Sequence, residues 1–201
     1  MLTNRSALVE LMIVTVGVLI ALSFDGVRGW MRERALLEDA LTNLTSEVSA
    51  NKSSVEGFLK AIPERERELE HVWDISTKML AGESIEGTAA LQIELMEITS
   101  AAYATTQLTG AFGLMPYEEV SRYSAVYAHQ DRVREMQDQA LTLLKSVTSR
   151  TWLLDDAKPP LAEVALWRQD IAATRTHLFF LKQFAEQLIS KAYDPLLSTG
   201  R

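Results

Sequence analysis

The three histidines are the residues best suited to metal or acid–base chemistry: His71, His129 and His177. Glu68 and His71 form a Glu-x-x-His pair, a spacing that di-iron helical bundles use. Such a centre needs a second pair and two more inward-facing glutamates, but neither of the other histidines has a glutamate three residues before it. We therefore predict no metal site. We interpret His129, which falls on an apolar helical seam, as a core residue.

No other group of side chains predicts a reaction. The chain has no cysteine, which excludes disulfides, thiolate catalysis, iron–sulfur clusters and cysteine-ligated zinc. It contains no G-x-S-x-G, phosphate-binding loop, dinucleotide fingerprint or H-E-x-x-H motif. The adjacent carboxylates Asp155 and Asp156 precede two prolines, where a helix break explains them. We expect no catalytic residues, no cofactor and no enzymatic activity.

The composition is that of a folded, acidic protein. Hydrophobic residues make up 47% of the 201 residues, with few glycines and prolines, so the chain can form one domain and an anchor. The net charge is −7 and no run of like charges occurs. Nucleic-acid binding requires clustered lysines and arginines, so we expect no nucleic-acid partner.

The longest apolar stretch, residues 7–24, reads A-L-V-E-L-M-I-V-T-V-G-V-L-I-A-L-S-F. As a helix it spans about 27 Å, close to the hydrocarbon thickness of a bilayer. The chain start carries only Arg5, and no A-x-A-like site follows the stretch, so we predict a retained membrane anchor rather than a cleaved signal peptide.

Residues at the end of the span are typical of a membrane interface. Trp30 stands among Arg28, Arg32 and Arg34, which fits a belt of aromatic and snorkelling side chains. Within the span, Gly17 and Ala21 form a small-xxx-small pair that would let another helix approach closely. Such pairs also arise by chance, and this alternative stays open.

Apolar residues that recur alternately three and four positions apart predict three long amphipathic helices. The first continues from the anchor, with a seam at Leu37, Leu41, Leu44, Val48, Asn51, Val55 and Phe58, and ends or kinks at Pro63. The second runs from Pro116 to about Trp152, and the third from Pro160 to Ala192. Shorter helices are predicted at 64–81 and 85–103, with a short helix and a glycine turn before Pro116.

These patterns predict an all-α fold in which an N-terminal transmembrane helix continues into an antiparallel helical bundle. The expected divisions are a tail at 1–6, the transmembrane helix and flank at 7–30, the bundle at 31–192 and a tail at 193–201. A seam with one asparagine can also set the register of a dimer, so a homodimer through residues 37–58 is an alternative.

The last helix carries more aromatic residues than one seam needs. Phe180 and Phe184 lie on one stripe beside the seam. We expect this helix to be buried on two sides, because cores take up most aromatic side chains. The alternative is that Phe180 and Phe184 form an exposed partner surface.

Two motifs resemble those of a large family of uncharacterised bacterial single-pass membrane proteins. One is the opening E-L-M-I-V-T-V-G-V-L-I-A-L with Trp30 and R-E-R after it. The other is Y-A-T-T-Q-L-T-G-A-F-G-L-M-P-Y, similar to the family's Y-x-x-L-x-x-x-G-x-x-x-L-I segment at Tyr103, Gly110 and Met115. The resemblance implies a membrane-anchored helical domain and no known reaction.

The same resemblance implies a periplasmic domain, because family members begin with a basic cytoplasmic segment. This chain lacks that segment, and its arginines after the span favour a cytoplasmic domain. We expect a single-pass protein of the bacterial inner membrane with a periplasmic domain. Its predicted function is that of a structural or accessory subunit that docks on a larger membrane complex, such as an energy-transducing one. The alternative is a membrane-anchored sensor or ligand-binding module, with Asn51, His129 and Thr174 as pocket candidates.

Overall fold

The computed structural model of the chain describes residues 3–83, 85, 91, 95–156 and 158–199. Within these ranges every regular element is helical and no β-strand occurs, which confirms the all-α prediction. The α-helices are α1 (Thr3–Leu80), α2 (Ala101–Leu108), α3 (Tyr117–Ser149), α4 (Leu161–Gln187) and α5 (Asp194–Thr199). The intervening turns are two 3₁₀ helices, Ala111–Leu114 and Thr151–Leu154, and a π-helix, Leu188–Tyr193.

Helix α1 is continuous over 78 residues and contains Pro63. The predicted end of the helix at this proline is therefore wrong, and one helix replaces the two predicted on either side. A proline inside a helix removes a backbone hydrogen bond and costs about 3 kcal/mol. Ile62 and Leu69 are both almost fully buried, and burial of two such side chains contributes roughly 3–6 kcal/mol, which offsets that cost.

The chain divides into two compact units. The first unit comprises Met1–Leu44 and Ala102–Pro116, and the second comprises Thr45–Ala101 and Tyr117–Arg201. In the first unit, the predicted glycine turn is present: Gly110 has a φ of 75°, a left-handed conformation that favours glycine, and the 3₁₀ helix follows it.

The core of the second unit joins three helices and a 3₁₀ turn. Its largest side chain, Trp167, is fully buried, and its indole Nε1 donates a hydrogen bond to the Val147 carbonyl oxygen at 2.9 Å. The other members come from α1, the 3₁₀ turn after α3, and α4: Val72, Ile75, Met79, Leu153, Val164 and Ile171. Apolar residues of these helices thus form a common core.

Helix α4 runs antiparallel to both of its neighbours. As the residue numbers rise along α4, the numbers of the residues that they contact fall. On α3, Val147 contacts Trp167 and Met136 contacts His177. On α1, Glu70 contacts Arg175 and Glu66 contacts Lys182.

Helices α1 and α3 run parallel within the second unit, which corrects the prediction of an antiparallel arrangement throughout. The Thr45 hydroxyl lies 3.1 Å from the Tyr123 hydroxyl, and the Tyr127 hydroxyl donates to Glu47 Oε1 at 2.6 Å. The residue numbers rise in the same direction along both helices, because the chain runs back from the end of α1 before α3 begins. Three helices packed on one another cannot all be antiparallel in pairs.

Part of this return is residues 95–100, which have no helical structure. The helix predicted at 85–103 is therefore wrong over these residues, while positions 84, 86–90 and 92–94 lie outside the described residues. Leu91, Leu95 and Ile98 have helical spacing. Ile98 is nevertheless buried although its own segment is not a helix.

Side-chain carboxamides hold the return segment in place of helical hydrogen bonds. Asn51 on α1 donates to the Thr99 carbonyl oxygen at 2.8 Å and accepts from the Thr99 N–H at 3.0 Å. Gln137 on α3 makes the equivalent pair with Met96, accepting at 2.7 Å and donating at 3.2 Å. Each carboxamide satisfies one backbone donor and one backbone acceptor, which supports the segment between the two helices.

The seam from Val48 to Phe58 is buried within the second unit. Its polar member, Asn51, is 1% exposed and is bonded to Thr99 rather than to another copy of the chain. These side chains therefore pack within the unit, and the homodimer through residues 37–58 stays a prediction.

Replacing Asn51 with leucine tests the carboxamide pair. We expect Asn51→Leu to lower the free energy of unfolding by about 1–3 kcal/mol, because the two hydrogen bonds to the Thr99 backbone are lost. Thr99 is exposed, so water replaces the lost partner only in part. Asn43→Leu, at an exposed position of the same helix, should change it by less than about 0.5 kcal/mol. Urea unfolding of the full chain in detergent measures both, and equal effects would contradict this role for Asn51.

Candidate functional site

The first unit presents an uncovered apolar helix surface. In the described chain, one helix is long and apolar enough to cross a membrane by length and composition, and the apolar window near its N-terminal end is 0% buried. The large apolar side chains from Leu11 to Ile20 are 49–66% exposed. Apolar surface of this extent needs a lipid or protein environment.

The predicted contact pair on this surface is described only in part. A Cβ added at Gly17 would meet no atom within 4 Å, so the helix surface is open there. The side chain of Ala21 lies outside the described part of the chain. The open backbone at Gly17 would allow close approach of another helix.

The predicted interfacial residues Arg28, Trp30 and Arg32 are all exposed. The guanidinium that stacks on Trp30 belongs to Arg34, whose Cζ lies 5.6 Å from the ring centroid. Arg34 Nε also donates to Glu38 Oε1 at 3.0 Å. The indole and the cation therefore form one local group at the end of the apolar segment, as an interfacial belt requires.

Helix α4 exposes a patch of three phenylalanines. Phe179, Phe180 and Phe184 are 54%, 47% and 36% exposed, and the first two rings meet edge to face at 5.6 Å between centroids. The expected burial of α4 on two sides is therefore wrong, because its core stripe from Val164 to Ala185 leaves the phenylalanine stripe outside. The alternative, an exposed surface at Phe180 and Phe184, agrees with the structure.

A cavity of about 60 Å³ lies inside the second unit. Its walls are mainly apolar and come from α1, α3 and α4: Phe58, Leu69, Leu141, Leu144, Leu178 and Leu181.

The polar side chains around this cavity are engaged with the protein. Arg65 Nη1 donates to both carboxylate oxygens of Glu68, at 2.8 and 2.7 Å. The Thr174 hydroxyl donates to the Asp170 carbonyl oxygen at 2.8 Å, and the Gln137 carboxamide binds backbone as described above. The cavity therefore offers an apolar surface with little hydrogen-bonding capacity.

The three pocket candidates chosen from the sequence do not converge. Thr174 lines the cavity, Asn51 binds the Thr99 backbone, and His129 lines a separate groove on α3. Of the other histidines, His71 is exposed and His177 Nε2 lies 3.0 Å from the Met136 carbonyl oxygen. Among the described residues, no three His, Asp or Glu side chains form a group that could hold a metal ion.

Sequence reasoning missed a polar network within the second unit. Glu47 accepts the hydroxyl protons of Tyr127, at 2.6 Å, and Thr99, at 3.2 Å. Burial raises the pKa of Tyr127, and the hydrogen bond to Glu47 raises it further. The protonated phenol donates to Glu47 and so links α3 to α1.

No protein-family model, curated protein or solved structure matches this chain.

Proposed function

We propose that this protein is a membrane-anchored accessory subunit without enzymatic activity, whose helical bundle docks on a larger membrane complex. The observation that supports this proposal is that one chain has two uncovered apolar surfaces. The first is the exposed apolar segment of α1, and the second is the phenylalanine patch of α4. One surface suits lipid and the other suits a protein partner.

The bilayer would cover the apolar segment of α1, and Trp30 with Arg34 would mark its interface. The open surface at Gly17 would be the point at which a helix of the complex packs. The phenylalanine patch would add a second contact outside the bilayer, where aromatic side chains contribute much of the binding free energy. We place the helical domain in the periplasm.

Cysteine labelling tests the anchor and the side of the membrane, because the chain has no cysteine of its own. We expect Ser53→Cys, exposed on α1, to react with a membrane-impermeant maleimide in intact cells. Thr15→Cys, exposed within the apolar segment of the same helix, should react only after detergent denaturation, because lipid shields it. Reaction of native Thr15→Cys would contradict the anchor, and reaction of Ser53→Cys only after permeabilisation would contradict the periplasmic placement.

The phenylalanine patch can be tested with Phe180→Ser/Phe184→Ser. We expect wild type in mild detergent to migrate with a larger complex on a native gel and the double variant to migrate alone. Leu161→Ser, on the same helix and 60% exposed, is the matched control and should stay in the complex. Because these positions are partly exposed, the free energy of unfolding should fall by less than about 1 kcal/mol per site. A wild-type protein that migrates alone would argue against the proposal.

The cavity in the second unit favours a second candidate function, an anchored module that binds a small apolar molecule. Its walls are mainly leucine and phenylalanine, and apolar cavities can bind small apolar probes such as xenon. We expect xenon to raise the thermal midpoint of wild type and not that of Ala140→Leu, which fills the cavity. Ala128→Leu, at an exposed position of α3, controls for xenon in the detergent. Equal shifts in all three proteins would rule out this function.

A further inference from the structure

A groove of about 300 Å³ in the second unit is bordered by three basic side chains. Arg122 and His129 project from α3, and Lys191 projects from the π-helix that follows α4. None of the residues that line the groove is acidic, although the whole chain carries a net charge of −7. The charged groups that line the groove are therefore opposite in sign to the net charge of the protein.

The basic groups of the groove are available to a ligand. Within the described residues, neither His129 nor Lys191 has a hydrogen-bond or ion-pair partner. Arg122 lies 3.8 Å from Glu118, but both side chains are more than half exposed. Exposed pairs of this kind contribute about 0–1 kcal/mol, so an anion can compete with Glu118 for the guanidinium.

The floor of the groove is apolar. It consists of small and aliphatic residues from α3 and the C-terminal helices: Ala125, Val126, Ala192, Pro195 and Leu196. A purely inorganic anion would leave this floor uncovered. A molecule with both a charged head and a hydrocarbon part would use the two kinds of surface together.

The π-helix shapes this groove. Leu188–Tyr193 is a six-residue π-helix that places Lys191 at the groove while it buries Ala192 and Tyr193. π-Helical turns are rare and occur often at functional sites. Here the irregular turn carries the lysine that lines the groove together with the basic side chains of α3.

We propose that this groove binds a phosphate ester that carries a hydrocarbon chain, as a lipid headgroup or a soluble alkyl phosphate does. The guanidinium, imidazole and ammonium groups would donate to the phosphate oxygens. The first carbons of the chain would lie on Val126, Pro195 and Leu196. This site is separate from the apolar cavity and from the phenylalanine patch, and it does not depend on the accessory function.

Calorimetric titration of the full chain in an uncharged detergent, at low salt, tests the proposal with three soluble probes. Hexyl phosphate supplies both parts of the ligand, inorganic phosphate supplies the head alone, and hexanol supplies the chain alone. We expect hexyl phosphate to bind about tenfold more tightly than inorganic phosphate, because a few buried methylenes suffice for that difference. Hexanol should not bind measurably.

Charge variants locate the binding. Ala125→Glu places a carboxylate inside the groove and should abolish binding of hexyl phosphate, while Lys191→Gln should weaken it about fivefold or more. Ala165→Glu makes the same change at an exposed alanine of α4 and should leave binding unchanged. Circular dichroism checks that each variant keeps its helical content.

Three results would overturn the proposal. They are no binding of hexyl phosphate to wild type, equal affinities for hexyl phosphate and inorganic phosphate, and equal loss of binding in Ala125→Glu and Ala165→Glu. Loss of binding only in the groove variants, with the phenylalanine patch intact, would support it. Tighter binding of hexyl phosphate than of inorganic phosphate assigns the gain in affinity to the alkyl chain, because only this chain distinguishes the two probes.

Discussion

The arrangement of the second unit depends on two carboxamides that bind the backbone of residues 95–100. Asn51 and Gln137 each satisfy one N–H and one carbonyl oxygen of this segment, at Thr99 and Met96. Without its partner, buried Met96 would leave an N–H and a carbonyl oxygen unsatisfied, at a cost of about 1–3 kcal/mol for each group, whereas water would reach exposed Thr99. With both partners, residues 95–100 lie along α1 without helical structure. This return segment lets α3 start beside residue 45 and run parallel to α1.

Much of the helical structure could be predicted from the sequence, because it depends on local spacing. The seam residues from Leu44 to Phe58 are buried as their three-and-four pattern predicts. The helix expected at 85–103 failed over 95–100 because its apolar spacing is equally compatible with a buried irregular segment. What decides between them is two pairs of hydrogen bonds from residues more than 40 positions away, which no local pattern contains.

The functional surfaces were predictable to different degrees. The apolar segment and Trp30 follow from composition and are exposed as an anchor requires. Exposure of Phe180 could not be decided in advance, because a second apolar stripe looks the same whether a neighbouring helix or a partner covers it. The basic groove escaped sequence reasoning, since Arg122 and Lys191 are 69 positions apart and are brought together only by the antiparallel packing of α3 and α4.

The parallel pairing of α1 and α3 has a consequence for biosynthesis. Contacts between α3 and α4 join residues 20–41 positions apart, as in the pairs Val147–Trp167 and Met136–His177. Contacts between α1 and α3 join residues 78–80 positions apart. Local pairs form faster than distant ones, so the α3–α4 hairpin can fold early, while the seam of α1 emerges from the ribosome long before its partner exists. During that interval the apolar seam of α1 lacks its partner, which is the condition under which exposed apolar surface aggregates.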